Sequence, residues 1–366
     1  MKFSCERSTL FKEISIANEI IASKNAISVL SNIYFEARDG SLTIKATDMK
    51  VNFETTVPVD VIEPGSVTVY GDKFYGILNS IPDGEIEFEQ VDSKINIKTK
   101  VKKARFQLKS IASEKFPEFT VSAKEFFEVS IKDFKEMIQE TIFAISDDET
   151  RYFMNGVFFE KADNKFIMVA TDGRRLAYIN KPAGIGVGDF SGVIVPPKIL
   201  SIILKRAGDE GMAGIAVTDK TIFIQFGSYK LSSVLIEGQF PNYRRVIPEK
   251  QTYQFNVNRL ELLDALRRVS LLVEQKSHRV YLGLSSGTAS IYCEENDIGN
   301  AREEIPCQYE GEEISIALNY RYLEEPFKVI SGEQICIQFT EPNKTITINP
   351  VPEKDFFHIV MPMQQD

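Results

Sequence analysis

Tryptophan is absent from the 366 residues, histidine occurs twice and cysteine four times. Neither His278 nor His358 sits in a nucleophile motif, and Cys5, Cys293, Cys307 and Cys336 include no close pair and have no neighbouring His. A structural zinc, a disulfide framework and a His-activated nucleophile are therefore not indicated. The expectation is no metal, no cofactor and no catalytic residue. Long apolar runs are missing as well: nowhere do about 18 uncharged apolar residues follow one another, and Met1-Lys2-Phe3-Ser4-Cys5-Glu6-Arg7 places charges where a signal peptide needs its apolar region. That predicts a cytoplasmic protein with no membrane contact. Net positive charge is lacking too, since the balance is −9 with a pI near 5.1, so the chain as a whole should be repelled by nucleic acid.

Against these absences stands a repeat. Within the stretch Met168 to Leu176, Ala170-Thr171-Asp172 echoes Ala46-Thr47-Asp48; the two aspartates are 124 residues apart, and the degenerate Glu295-Asn296-Asp297-Ile298 puts Asp297 another 125 residues on. Apolar positions keep the same spacing. Phe3, Cys5 and Leu10 are followed by Phe127, Val129 and Phe134, then by Tyr253, Phe255 and Leu260. Later in each unit, alternating strands at Val67/Val69, Val193/Val195 and Ile314/Ile316 lead into helical stretches. Paired strands follow: Ile86/Phe88 with Ile95/Ile97, Ile215/Val217 with Ile222/Ile224, and Ile335/Ile337 with Ile346/Ile348. The pattern predicts three homologous α+β domains, 1–122, 123–250 and 251–366.

The first domain reads as a strand over 2–6, a helix capped by Ser8-Thr9 with Leu10, Ile14, Ala17 and Ile21 on one face, and strands over 32–36, 42–46 and 51–57 separated by the Asp39-Gly40 turn and a bend at Asp48. A second round follows: strand 66–70, helix 72–80, strands 85–90, 94–99 and 104–109. Each domain is thus two β-α-β-β-β halves. Corresponding first helices are expected over 132–144 and 259–272. The Gly-rich stretch Pro182 to Gly188 precedes another strand, 191–195, whereas a dinucleotide loop must lead into a helix. It reads as a connection between halves. Asp147-Asp148-Glu149 reads as a solvated loop, and the recurrence of Thr171-Asp172 favours a turn in which the carboxylate caps backbone N–H groups over a metal ligand. An enzyme acting on nucleic acid would need a metal or acid–base cluster that the sequence does not show.

Four motifs carry a family resemblance. Arg151-Tyr152-Phe153-Met154-Asn155-Gly156-Val157, Ala170-Thr171-Asp172-Gly173-Arg174-Arg175-Leu176, Phe240-Pro241-Asn242-Tyr243-Arg244-Arg245-Val246 and Val360-Met361-Pro362-Met363 closely resemble, in order and across the whole chain, the bacterial DNA polymerase III beta subunits, the replicative sliding clamps. Two departures are visible: Arg174 stands where many clamps have His, and Gln364-Gln365-Asp366 extends a tail that in many ends on a basic or apolar residue. Both bear on partner preference.

The resemblance implies a non-catalytic processivity factor, a head-to-tail homodimer whose six domains form a ring with sheets outside and helices lining a hole for duplex DNA. Implied partners are the DNA polymerase III alpha subunit, the clamp loader, and other polymerases and repair proteins carrying short apolar motifs. A cleft between the second and third domains would receive those motifs. Its implied lining is Arg151, Met154, Thr171, Gly173, Arg174, Arg175, Leu176, Pro241, Arg245, Val246, Asn319, Tyr322, Val360, Met361, Pro362 and Met363. DNA would be faced by Lys12, Lys24, Lys73, Lys132, Lys135, Tyr152 and Lys198, with Lys205, Arg206, Arg267 and Arg268 on or beside the same helices. The dimer contact would set Phe106 and Leu108, on an expected edge strand, against Leu271 and Leu272. Those leucines are neighbours about 100° apart on a helix, so one should face outward.

Overall fold

The computed structural model describes residues 1–21, 28–120, 125–183 and 190–364. The expected boundary at 122, Lys24, Gly184 to Gly188 and Gln365-Asp366 lie outside them. The described chain forms two compact units: Met1–Lys132 with Lys198–Leu235, and Asp133–Pro197 with Ile236–Asp366.

Each unit holds one large antiparallel sheet, of thirteen strands in the first and twelve in the second among the described residues. Helices α1 (Arg7–Ile20), α2 (Gly71–Ser80), α3 (Ile131–Gln139), α4 (Pro197–Arg206), α5 (Arg259–Ser270) and α6 (Tyr320–Val329) each follow a short strand and precede three more, as the half-domain reading expects. A strand over Asp60–Glu63 is additional. Alternating apolar positions in the strands and the i, i+4, i+7 set Leu10, Ile14 and Ala17 of α1 are fully buried, so the core lies between helices and sheet.

Helix α1 departs from the expected cap. It starts at Arg7, its N-cap Glu6 makes no side-chain cap, and Ser8-Thr9 are inside the helix. The first N–H is instead taken by a distant carbonyl, Arg7 N to Gly84 O at 2.9 Å, and the other two first helices do the same: Ile131 N to Gly211 O at 3.0 Å and Arg259 N to Glu333 O at 2.8 Å. In α1 tertiary pairing thus replaces a local cap, whereas α5 has both, Asn258 Oδ1 accepting from Leu260 N and Glu261 N. Helix α3 ends at Gln139 and continues as a 3-10 turn over Ile142–Ala144, and α5 ends at Ser270 with Leu271 as its C-cap, both short of the expected ends.

The repeat is also a pairing rule. The strand closing the first half of the first domain, Val51–Pro58, pairs antiparallel with Tyr229–Val234, which closes the second domain. The equivalent strand of the second domain, Arg175–Pro182, pairs with Phe356–Val360, which closes the third. Among the described residues two strands in these same positions remain half-paired. Arg105–Ile111 pairs along Arg105–Lys109 with Lys94–Lys98 but meets Gly65–Tyr70 only at Ser110 and Ile111. Ala301–Gln308 pairs along Ala301–Pro306 with Thr288–Cys293 but meets Tyr253–Asn258 only at Cys307 and Gln308. The expected edge strand of Phe106 and Leu108 is therefore anchored between two strands at one end and free along the other.

Candidate functional site

The site grows from the repeated turn. Asp172 Oδ1 accepts from Arg174 N at 2.8 Å and Arg175 N at 3.1 Å, and Thr171 Oγ1 accepts from Gly173 N at 3.0 Å while donating to Arg175 O at 2.6 Å. Asp48 builds the same turn, accepting from Lys50 N at 2.9 Å and Val51 N at 2.7 Å. In the third domain the capping atom belongs to Asn296, not Asp297: Asn296 Oδ1 accepts from Ile298 N at 2.8 Å and Gly299 N at 3.3 Å. The spacing from Asp172 to Asn296 is again 124 residues, because an amide oxygen caps as a carboxylate does. Gly173 takes φ +87°, a left-handed conformation, and a Cβ there would sit 3.0 Å from Arg151 Nη1.

Arg175 leaves this turn into the sheet. Its guanidinium pairs with Asp172 Oδ2 at 3.1 Å, meets Glu325 Oε2 of α6, donates Nη2 to Phe143 O at 2.7 Å and lies 4.8 Å over the Tyr322 ring. Burial pulls its pKa below the usual arginine value, opposed by the Asp172 carboxylate. Arg151 braces the turn from behind, pairing with Asp148 Oδ2 at 2.9 Å and donating to Asp172 O at 3.1 Å. Hydrogen bonds from Thr150 and Arg151 hold the Asp148 carboxyl down at about 2.

On either side of this wall lies a groove. The narrower, about 560 Å³, is lined by Met154, Thr171, Leu176, Pro241, Arg245 and Val246, with Gly173, Arg174, Arg175 and Met361 along the shared wall. Beneath it Leu176 packs in a cluster with Val169, Phe240, Tyr243 and Ile359. Tyr243 donates to Glu160 at 3.0 Å, and burial raises its pKa. The wider groove, about 1070 Å³, takes the other face of Gly173, Arg174 and Arg175 with Asn319, Tyr322, Pro362 and Met363. The chain end is tied between them, Met361 N to Arg174 O at 2.9 Å and Met363 N to Ala317 O at 2.8 Å. Val246 and Met361 stay 48% exposed, two large apolar side chains at the lip.

Two residues expected in the lining are elsewhere. Val360 is fully buried in its strand opposite Arg175, and Arg151 acts through the turn rather than on the groove surface. The lining also includes residues that sequence reading missed: Asn242 before the Tyr243 turn and Ile247 and Lys250 after it, the hairpin loop Thr340 to Thr345, and Lys276, His278, Arg279 and Arg321 around the wider groove. The 340–345 loop joins two strands of the third domain and no local pattern signals that it reaches this groove.

The cations expected to face DNA separate into two groups. Lys198 is a structural tie, bonding Asp48 Oδ2 at 2.7 Å and Ile20 O at 2.9 Å. Lys205 pairs with Glu19, Arg267 with Glu324 and Arg268 with Glu303, while Arg206 donates to Lys12 O. Lys12 and Lys132 are exposed without an ion pair among the described residues, Lys73 is exposed near Asp72, Lys135 is half-buried, and Tyr152 is exposed. Of the expected dimer residues, Phe106 and Leu108 are half-buried, Leu272 is half-buried, and Leu271 is 77% exposed. Among the described residues no three His, Cys, Asp or Glu side chains could together hold a metal ion, and no helix is long and apolar enough to cross a membrane.

Three copies of one two-half domain, with a pairing rule that hands each domain on to the next, define the DNA-clamp class of fold. The chain belongs to the DNA polymerase III beta subunit family, whose N-terminal, central and C-terminal domain models match residues 1–120, 128–242 and 244–364. It is 46% identical over 371 residues to the beta sliding clamp of Treponema pallidum and 30% identical over 378 residues to that of Caulobacter vibrioides, in both cases over 100% of each chain. The crystal structure of a DnaN sliding clamp from Bartonella birtlesii bound to griselimycin superposes with a TM-score of 0.93 at 29% identity over 100% of both chains.

Proposed function

We propose that this chain is a non-catalytic processivity clamp of the bacterial cytoplasm: two copies join head to tail in a ring around duplex DNA, slide on it, and tether replication partners. The half-paired strands carry this reading. Twice within the chain, the strand closing a first half-domain is completed by the strand closing the next domain. Among the described residues Ala301–Gln308 and Arg105–Ile111 are the two strands of this kind without such a completing partner, so joining them between copies makes the same junction again. Free strand edges invite such pairing, and a heterologous contact of this kind gives a closed ring when its rotation closes. Leu271 and Leu272 beside the third-domain strand, with Phe106 and Leu108 on the first-domain strand, would form the apolar part of the contact.

A sliding ring needs phosphate contacts that fix no register, so a few exposed cations such as Lys12, Lys73 and Lys132, with the half-buried Lys135 and with Tyr152, suffice despite the net charge of −9. We assign the domains as 1–122, 123–250 and 251–366. The narrower groove would receive apolar side chains from the polymerase III alpha subunit, the clamp loader, and other polymerases and repair proteins. Two such side chains contribute about 3–6 kcal/mol gross, and ordering costs offset part of it, which suits exchangeable partners. The test is topological. After loading onto nicked circular DNA the protein should stay bound through gel filtration and be lost once the circle is linearised; equal loss from both forms would overturn the ring.

A further inference from the structure

The wider groove differs in charge from the chain that carries it. Arg174, Lys276 and Arg321 point three exposed cations at it and form no ion pair among the described residues, although the chain as a whole is at −9. The carboxylates there do not cancel them: Asp172 and Glu325 are both taken by Arg175, leaving Asp147 as the remaining acid in the lining. His278, held at φ +53° with its carbonyl accepting from Tyr320 N at 2.9 Å, has its pKa lowered by burial and by neighbouring Arg321, which favours its neutral form. Apolar contact continues along the same path through Met361, Pro362 and Met363.

The geometry points to a partner peptide of defined chemistry, one whose apolar anchors enter the narrower groove and whose adjoining residues, lying in the wider one, are acidic. This rests on the reading of the narrower groove as a peptide site. The shared wall favours a peptide over a nucleic acid: a chain crossing Gly173 to Arg175 must offer apolar side chains on one side and negative charge on the other, and a phosphate backbone offers only the second. Arg174 lies on that wall, so the departure from His there places a permanent charge where a histidine would be mostly neutral at pH 7.

The experiment uses the full chain and three fluorescently labelled peptides with one shared apolar anchor, flanked by Asp, Asn or Lys. At about 50 mM salt the Asp-flanked peptide should bind roughly tenfold tighter than the Asn-flanked one, the expectation for several weak exposed pairs acting together, and the advantage should shrink at about 1 M salt as the Debye length falls to roughly 3 Å. Lys276→Glu with Arg321→Glu should remove or reverse the preference while binding of the Asn-flanked peptide persists, which shows that the groove remains folded. Equal affinity for the Asp and Asn flanks overturns the inference and leaves the peptide groove standing. Single-stranded oligonucleotide displacing the Asp-flanked peptide from the wider groove at comparable concentration overturns it in favour of phosphate. If none of the three exceeds a scrambled control, the peptide groove itself falls, and this inference with it.

Discussion

Arg175 and Glu325 meet across the wall between the two grooves, joining the Asp172 turn of the central domain to helix α6 of the C-terminal domain. The same guanidinium holds Asp172 and the Phe143 carbonyl, so one side chain satisfies three acceptors in a largely buried place. Removing it strands them. Arg175→Ala should destabilise the protein by about 2–3 kcal/mol, because breaking a buried pair costs more than the pair itself contributes. Arg175→Lys should recover part of this, since an ammonium keeps the charge without the fork. Urea unfolding reads both, and an Arg175→Ala loss below about 0.5 kcal/mol would contradict the wall's role.

The chain end tests the narrower groove. Deleting Met361 to Asp366 removes an exposed methionine from the lip and the backbone bonds to Arg174 O and Ala317 O. Peptide binding should fall by at least tenfold while the dimer remains folded, at a stability cost of about 1–2 kcal/mol for two lost hydrogen bonds. Because the chain has no Trp, fluorescence polarisation with a labelled peptide is the suitable readout. Undiminished affinity would refute the assignment.

The repeat could be read because buried positions and capped turns each demand a narrow choice of residue, and both recur at a fixed spacing. Asp48 and Asp172 display this directly. The third turn lies one residue before the aspartate that the repeat points to, because Asn296 caps in place of an aspartate next to a real one, Asp297. Helix α1 shows a second limit: Ser8 and Thr9 satisfy a local capping pattern, but Gly84, 77 residues away, supplies the partner for Arg7 N. The grooves were legible where they use the repeated turn and the terminal strand. They were illegible where distant loops arrive, as with Lys276, Arg321 and the 340–345 hairpin, since nothing local to those segments records what they approach.

Asp148 makes the brace behind the turn sensitive to acid. Its carboxyl, held at about 2 by Thr150 and Arg151, sits below the ordinary value of 3.8, so its contribution is present above pH 4 and is lost as pH falls through the folded-state value. Asp148→Asn should therefore be less stable than the natural chain by a constant margin between pH 5 and 7, and the margin should close as pH drops toward 2. Urea midpoints across that range check the sign; a gap that widens with acid would exclude this account.

Lys198 should behave as a structural residue. Its ammonium joins Asp48 to the Ile20 carbonyl at the end of α1, and burial raises the Asp48 pKa less than the bonds from Lys198, Val51 and Lys50 lower it. Lys198→Ala should cost about 1 kcal/mol of stability, discounted for partial exposure. The salt dependence of binding to short duplex should be unchanged. A fall in the salt slope by about one ion, with stability intact, would return Lys198 to the DNA-facing set.

Ring closure places the strongest demand on Leu271. It follows the last turn of α5 with 77% of its surface exposed, so the isolated chain gains almost nothing from its side chain. Leu272 is different: it is half-buried, and its carbonyl accepts from Asn296 Nδ2 at 2.8 Å within the same domain. Changing Leu272 would therefore mix folding with assembly, whereas Leu271→Ala isolates assembly. A leucine buried on association contributes about 1.5–3 kcal/mol, and a two-copy ring makes the contact twice, so the dimer dissociation constant should rise by about two decades or more. Circular dichroism and urea midpoints should match the natural chain, peptide binding should persist, and retention on circular DNA should fail. Sedimentation equilibrium reads the assembly. An unchanged dissociation constant for Leu271→Ala would move the contact away from the end of α5, and with it the pairing of Ala301–Gln308 against Arg105–Ile111.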